Sequence, residues 1–240
     1  MKTLLAVTTY NQIEYTKKFV ASLKQTSLTG VDVAFFDDVS TDGTQAYLKN
    51  AGFTVFERPT PMGLTRSWNL AYQKFISEGY DVLIISNNDV LLTKTAVENL
   101  INAAMTVQLA CPMSTRNGAG HNWQEQAIEG YYPGLAIMAQ DPANHIKVNT
   151  LIKNEVIRIK NFNGFVFAVS KKITASQFSN GHLFNPALTN VGQESDLHSR
   201  LKEPPLLVKG SFIYHYKGVS FSITGLKNGQ DVRQNLNLYH

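Results

Sequence analysis

Over residues 3–105 the chain alternates short β-prone apolar runs with amphipathic stretches, and this alternation constrains the fold more than any other feature. The apolar runs are Thr3–Thr9, Val31–Phe36, Phe53–Phe56 and Val82–Ser86. Between them, Ile13, Phe19, Val20 and Leu23 share one face at helical spacing, and Leu64, Trp68, Ala71 and Phe75 form a second such stripe. A short helix is expected from Asp42 through Leu48, and Val97, Leu100, Ile101 and Ala104 mark another over Thr93–Met105. Strand–helix alternation of this kind predicts a mostly parallel central sheet with right-handed crossovers and helices on both faces. Val82–Ile85 is apolar without alternation, as strands buried on both sides are.

Boundary residues support the same elements. Asn11 with Glu14 makes a capping box for the first helix, Asp42 is a good N-cap for the second, and Gly52 and Gly79 close helices. The second half is less regular. Cys111–Gly134 has no clean period, and 130–141 and 145–159 read as irregular or short-strand material. A strand containing Gly164 is expected over Phe162–Ser170, then a helix at Lys171–Phe178. A helix at Glu194–Leu201 is stopped by Pro204-Pro205, and two strands follow at Leu206–Lys209 and Phe212–Tyr216. With no internal repeat or flexible linker, 1–240 is expected to be a single continuous α/β domain.

Composition narrows the functional classes. A formal charge of +4 in 240 residues suits an anionic ligand but is far from a polycation. One cysteine, Cys111, excludes an internal disulfide framework and a cysteine-built zinc site. No run of about 18 apolar residues occurs, so no integral membrane segment is expected. The N-terminal MKTLLAVTTYNQ reads as a first strand rather than a signal, and a cytoplasmic protein is expected.

The chemistry-bearing residues gather at strand ends: Thr8–Asn11, Asp37-Asp38, Asn87-Asn88-Asp89 and, much later, His215. In a parallel sheet the first three converge on the carboxyl edge, where open α/β sheets place ligands. Convergent carboxylates there suit a nucleotide plus a cation, with Asp37 accepting from a base or ribose and Asp89 holding the cation against a diphosphate. Each position also has a plainer reading: Asn87–Asp89 as a polar turn, Asp37 as a loop cap, Asp42 as a helix cap. Neither G-x-G-x-x-G nor G-x-x-x-x-G-K-[ST] follows the first strand, which disfavours dinucleotide and P-loop enzymes. A sugar nucleotidyltransferase would want a Gly-rich, Arg-containing loop there, and TTYNQ is not one.

Taken in order, these motifs resemble a family 2-type glycosyltransferase of the GT-A fold. The resemblance rests on Thr8-Thr9-Tyr10-Asn11; Asp37 and Asp38 followed by Ser40–Thr44; Gly63 ahead of Asn69; Asn87-Asn88-Asp89 in place of D-x-D; Asn163-Gly164-Phe165; Asp196-Leu197-His198-Ser199-Arg200; and His215-Tyr216-Lys217-Gly218. It implies a nucleotide-sugar-binding half over 1–106 and an acceptor-binding, catalytic half over 107–240. It further implies a nucleotide-sugar donor, with a UDP-sugar the first choice, and Mn²⁺ or Mg²⁺ on Asp89 helped by His215. Thr8, Tyr10, Asn11, Asp37, Asp38, Asn69, Asn87 and Asn88 would contact the donor, and Arg66 would add a cation near the phosphates. Glu194 would take the acceptor proton, with Asp196 as the alternative base, and direct attack would invert the anomeric carbon. The acceptor would be a glycan, a lipid-linked sugar, another hydroxyl or a modified DNA base.

Two residues depart from the family pattern: Asn87 stands for the first Asp of the metal motif, and Gln193-Glu194 for Glu-Asp. They keep open a non-catalytic nucleotide-sugar or glycan-binding module of the same fold. Single residues keep alternatives too: Asn69 as a packing amide, Glu194 as a first-turn helix acid, His215 as a half-buried strand histidine. Trp123, Tyr131 and Tyr132 are either a sugar-stacking platform or packing beneath a loop.

Overall fold

The structure is a computed structural model that describes residues 1–115, 128–173, 178–179, 181–188 and 192–216. The first half follows the predicted alternation: β1 (Thr3–Thr9), α1 (Ile13–Leu23), β2 (Val31–Asp37), α2 (Thr44–Asn50), β3 (Thr54–Phe56), α3 (Leu64–Ser77) and β4 (Val82–Asn87). Then come β5 (Val90–Leu91), α4 (Ala96–Ala104), β6 (Leu109–Ser114), α5 (Pro133–Ala136), α6 (His145–Leu151), β7 (Val156–Arg158), β8 (Val166–Ser170), α7 (Gln193–Arg200) and β9 (Leu206–His215).

The strands form one sheet in the order β3-β2-β1-β4-β8-β6-β9-β5, with β7 beside β9. β1 to β4 pair in parallel, and so do β6 and β9, while β8 runs antiparallel between β4 and β6. Reversal of β8 has a functional consequence. Its first residue, Val166, pairs with Ser86 at the end of β4, which brings the preceding Gly164-Phe165 to the sheet's carboxyl edge.

Side chains alternate between two cores. Leu4 and Ala6 of β1, with Leu83 and Ile85 of β4, pack against Trp68, Ala71 and Phe75 of α3 and Leu197 of α7. Leu5, Val7, Val82 and Ile84 face the other way, against Phe19 and Leu23 of α1 and Leu100 and Ile101 of α4. Both sheet faces are therefore covered, which is why these strands are apolar without alternation through Leu4–Val7 and Val82–Ile85.

Several local expectations are corrected. Asn11 does not cap α1: it and Gln12 adopt left-handed backbone conformations, and Asp42 accepts from the Ile13 N–H at 2.8 Å. The same Asp42 carboxylate accepts from the backbone N–H and hydroxyl of Thr44, so one residue ties the starts of α1 and α2 together. A strand, β6, runs from Leu109 into the segment that showed no period, where Pro112 interrupts the pattern. Residues 133–151 are helical rather than extended. The two predicted last strands are one, β9, whose pairing with β6 shifts register between Pro112 and Met113. Gly210 sits in that irregularity because a Cβ there would lie 2.7 Å from the Asn154 Cα. Residues 174–177 of the helix predicted at 171–178 lie outside the described residues.

Candidate active site

Strand register assembles the donor edge. Thr8 stands opposite both Phe36 and Asn87, and Thr9 opposite Asp37, so three strand ends finish side by side. The Thr9 hydroxyl donates to Asp37 Oδ2 at 2.8 Å. Asp37 is wholly buried and also accepts from the Ser40 backbone N–H (2.8 Å), the Ser40 hydroxyl (2.6 Å) and the Gln45 amide (2.6 Å). These four donors make it the anchor of the turn between β2 and α2, the loop-cap reading of the sequence. Its neighbour Asp38 accepts from the Met62 and Gly63 N–H groups, both at 2.8 Å, and thereby holds the loop that enters α3.

Asp38 also faces Arg58 at 3.4 Å, and Arg58 in turn donates to the Ser67 hydroxyl. Burial lowers the Arg58 pKa from the usual guanidinium range; the Asp38 charge opposes this and Arg66 reinforces it. Sequence reasoning missed Arg58, because an arginine in a Pro-rich loop carries no periodic signal. Arg66, the arginine singled out instead, is exposed in the first turn of α3. Thr8 is buried, while Tyr10 and Asn11 remain partly exposed, with the Asn11 side-chain oxygen accepting from the Thr41 N–H.

Asn87-Asn88-Asp89 splits into three roles. Asn88 is buried and donates to the Thr16 hydroxyl at 2.9 Å, which fastens α1 to the strand end. The Asn87 backbone N–H donates to the Phe165 carbonyl at 2.8 Å, and its side-chain oxygen is buried without a hydrogen-bond partner. Asp89 Oδ1 is likewise buried without a hydrogen bond, and lies 3.4 Å from His215 Nε2. His215 is carried there by β9, pairs across the sheet with Val90, and stacks on Phe165 at 4.6 Å between ring centroids. Among the described residues no cluster of three His, Cys, Asp or Glu side chains occurs. One carboxylate, one imidazole and an amide oxygen nevertheless fit a divalent cation whose shell is completed by phosphate oxygens and water. Two buried oxygens without donors are what such a cation would satisfy.

On the other side of Gly164-Phe165 stands Glu194, in the first turn of α7. Its Oε1 accepts from the Gly164 N–H at 3.1 Å. Glu194 as a residue keeps partial exposure, but its carboxyl group is enclosed. Burial pushes its pKa above the ordinary carboxylate range, against the stabilising pull of the Glu194 and Gly164 backbone N–H groups. Asp196 is engaged differently: it is paired with Arg200, which also donates to the Leu183 carbonyl at 2.9 Å. Asn69, buried in α3, exchanges two hydrogen bonds with the backbone of Phe184, at 2.8 and 3.0 Å, and so acts as a packing amide. The Lys209 ammonium lies 4.4 Å from the Tyr131 ring centre and 5.8 Å from that of Tyr132. Trp123, Lys217 and Gly218 lie outside the described residues.

The sheet order, the carboxyl-edge site and the Gly164 bridge between its two halves define a GT-A type domain. Residues 5–173 match the family model described as Glycosyl transferase family 2, and the chain belongs to that family. Among curated protein sequences none matches this chain. Three solved structures show the fold. A crystal structure of GalNAc-T7 with UDP, GalNAc and Mn²⁺ aligns over 90% of this chain and 44% of its own, at 14% identity and a TM-score of 0.65. The mannosyltransferase PcManGT from Pyrobaculum calidifontis, in complex with GDP-Man and Mn²⁺, aligns over 90% and 58%, at 13% identity and a TM-score of 0.58. TarS 1–349 from S. aureus aligns over 90% and 60%, at 14% identity and a TM-score of 0.58. The chain thus spans less than two thirds of each of these structures. No helix among the described residues is long and apolar enough to cross a membrane.

Proposed function

We propose that this chain transfers a sugar from a nucleoside-diphosphate donor to an acceptor hydroxyl. The observation that carries the reading is the buried Asp89 Oδ1, without a hydrogen bond and 3.4 Å from His215 Nε2, in a family 2 domain. Asp89 and His215, with the Asn87 side-chain oxygen, would hold Mn²⁺ or Mg²⁺. Such a cation neutralises the charge that builds on a diphosphate leaving group. A UDP-sugar is the first donor to try, since GalNAc-T7 was crystallised with UDP and Mn²⁺.

The chain's own residues divide the remaining work. Thr8, Tyr10 and Asn11 border the nucleotide, on an edge that Asp37 and Asp38 stiffen from beneath. Arg58 is anchored against Asp38, and the exposed Arg66 adds positive charge toward the phosphates. Asn69 and Asn88 position other segments rather than touch the donor. Glu194 accepts the proton of the acceptor hydroxyl as that oxygen forms the new bond, a contribution of about 10²–10⁴-fold. Its raised pKa makes it a better proton acceptor once ionised. Asp196 is tied to Arg200 and supports the helix instead. A single base and direct attack give inversion. Residues 1–106 would then form the donor half and 107–240 the acceptor half.

The test is to incubate the protein with labelled UDP-sugars and Mn²⁺, alongside Asp89→Ala. Donor turnover by the wild type and none by the variant is expected. Donor binding without turnover would reassign the chain as a nucleotide-sugar-binding module, and turnover that survives Asp89→Ala would remove the site.

A further inference from the structure

Gly164 and Trp68 meet Glu194 at one point. A Cβ built on Gly164 would lie 2.5 Å from Glu194 Oε1 and 2.9 Å from its Cγ, and also 2.4 Å from Cη2 of Trp68. A side chain there would have to displace the carboxylate or the indole, because both reach into the space that glycine leaves open. Cη2 belongs to the hydrocarbon ring of the indole, so the group facing the carboxylate is apolar. The indole cannot retreat: Trp68 is wholly buried, with Phe184 at 5.0 Å and Phe167 at 5.3 Å between ring centroids.

We propose that Gly164 and Trp68 are positioning residues for Glu194, forming a seat that fixes the carboxylate with one backbone N–H and shields it from water with the indole edge. This rests on the assignment of Glu194 as the proton acceptor. The seat joins the two halves of the site, because Phe165, the next residue, receives the Asn87 N–H and stacks on His215. Burial is the leading cause of the raised Glu194 pKa, and the indole is the apolar group that the geometry sets beside it. The charged and titratable groups of the elements around it are otherwise placed. On its own helix Asp196 is paired with Arg200, and His198 lies a turn further on; on α3 there are the exposed Arg66, the buried Tyr72 and Lys74, which is paired with Glu78; the approach to Gly164 carries the exposed Lys160. None of them contributes to the displacement of the Glu194 pKa. A carboxylate held this way loses its function as pH falls through its raised pKa, since only the ionised form accepts a proton.

Two readouts test the seat in Trp68→Phe and Gly164→Ala: the Glu194 carboxyl titration, followed by ¹³C NMR, and the acidic limb of the pH–rate profile. In Trp68→Phe both are expected to move together to lower pH, with UDP–Mn²⁺ binding unchanged. In Gly164→Ala the added methyl displaces the carboxylate, so turnover falls and the titration moves toward the ordinary carboxylate range while donor binding persists. A titration midpoint that stays at the wild-type value in every variant that folds would overturn the proposal, whatever happens to the rate. Should Glu194→Gln remain fully active, the base assignment fails; the titration still decides whether the seat exists. Should Trp68→Phe not fold, Gly164→Ala alone decides.

Discussion

Replacing Asp89 by Asn separates a ligand-binding role from a structural one. In the free protein Asp89 contributes little to stability, because its buried Oδ1 accepts no hydrogen bond and only approaches His215 at 3.4 Å. An amide of the same shape keeps the packing and costs Oδ1 no hydrogen bond, so the change in the free protein should lie within about 1 kcal/mol of zero. The backbone contact is untouched, since it is the Asp89 carbonyl that accepts from the Tyr216 N–H at 3.0 Å. Binding behaves differently. At a free ligand concentration of about 100 times Kd, UDP with Mn²⁺ would stabilise the wild type by about 2.7 kcal/mol. For a chain of this size that corresponds to a rise in Tm of roughly 5–11 °C. Thermal melts of both proteins, with and without UDP and Mn²⁺, make the comparison. The expected result is nearly equal Tm in the free state and a ligand-dependent rise in the wild type only. An equal rise in both proteins would refute the metal assignment; a large fall in the free variant would make Asp89 a structural residue.

Glu194→Gln should reduce transfer by about 10²–10⁴-fold while donor binding persists, measured by single-turnover transfer and calorimetry. Its effect on stability has a definite sign. With the folded pKa raised, the folded state binds the Glu194 proton more tightly than the unfolded chain does, so ionisation costs stability as pH rises from the unfolded toward the folded pKa. The variant escapes that cost and should melt higher than the wild type at pH 8 but not at pH 4. Asn69→Ala leaves the Phe184 N–H and carbonyl without their side-chain partners, at about 1–3 kcal/mol for each, and should lower the urea midpoint. Asp42→Ala removes a cap from α1 and α2 together and should cost about 1–2 kcal/mol for each helix start. Burial pushes the Asp42 pKa up, but the bonds from Thr44 and Ile13 together outweigh it and leave the value lowered. The stability difference between wild type and Asp42→Ala should therefore be full near neutrality and shrink as pH falls through that lowered value.

Local signals sufficed for the alternation of β1 to α4, for the apolar stripe of α3 and for the strand ends at Thr8, Asp37 and Asn87. Period and burial there depend on neighbours within a few residues, and parallel strands bring their ends to one edge by geometry alone. The same signals failed where a pattern is broken on purpose. β6 contains Pro112, and β9 absorbs its irregularity at Gly210 against Asn154. Which polar atoms remain available could be decided only by the folded chain. Asp37 meets Thr9, Asn88 meets Thr16 and Asn69 meets Phe184, partners 28, 72 and 115 residues apart in the sequence. These contacts tie three polar side chains, which the sequence alone leaves open, to distant parts of the chain. Asp89 and Asn87 keep oxygens without donors, and Arg58, unmarked by any local pattern, lies against Asp38. The residue types at the site follow from the sequence, whereas their roles follow from hydrogen bonds and burial, which the tertiary structure alone distributes.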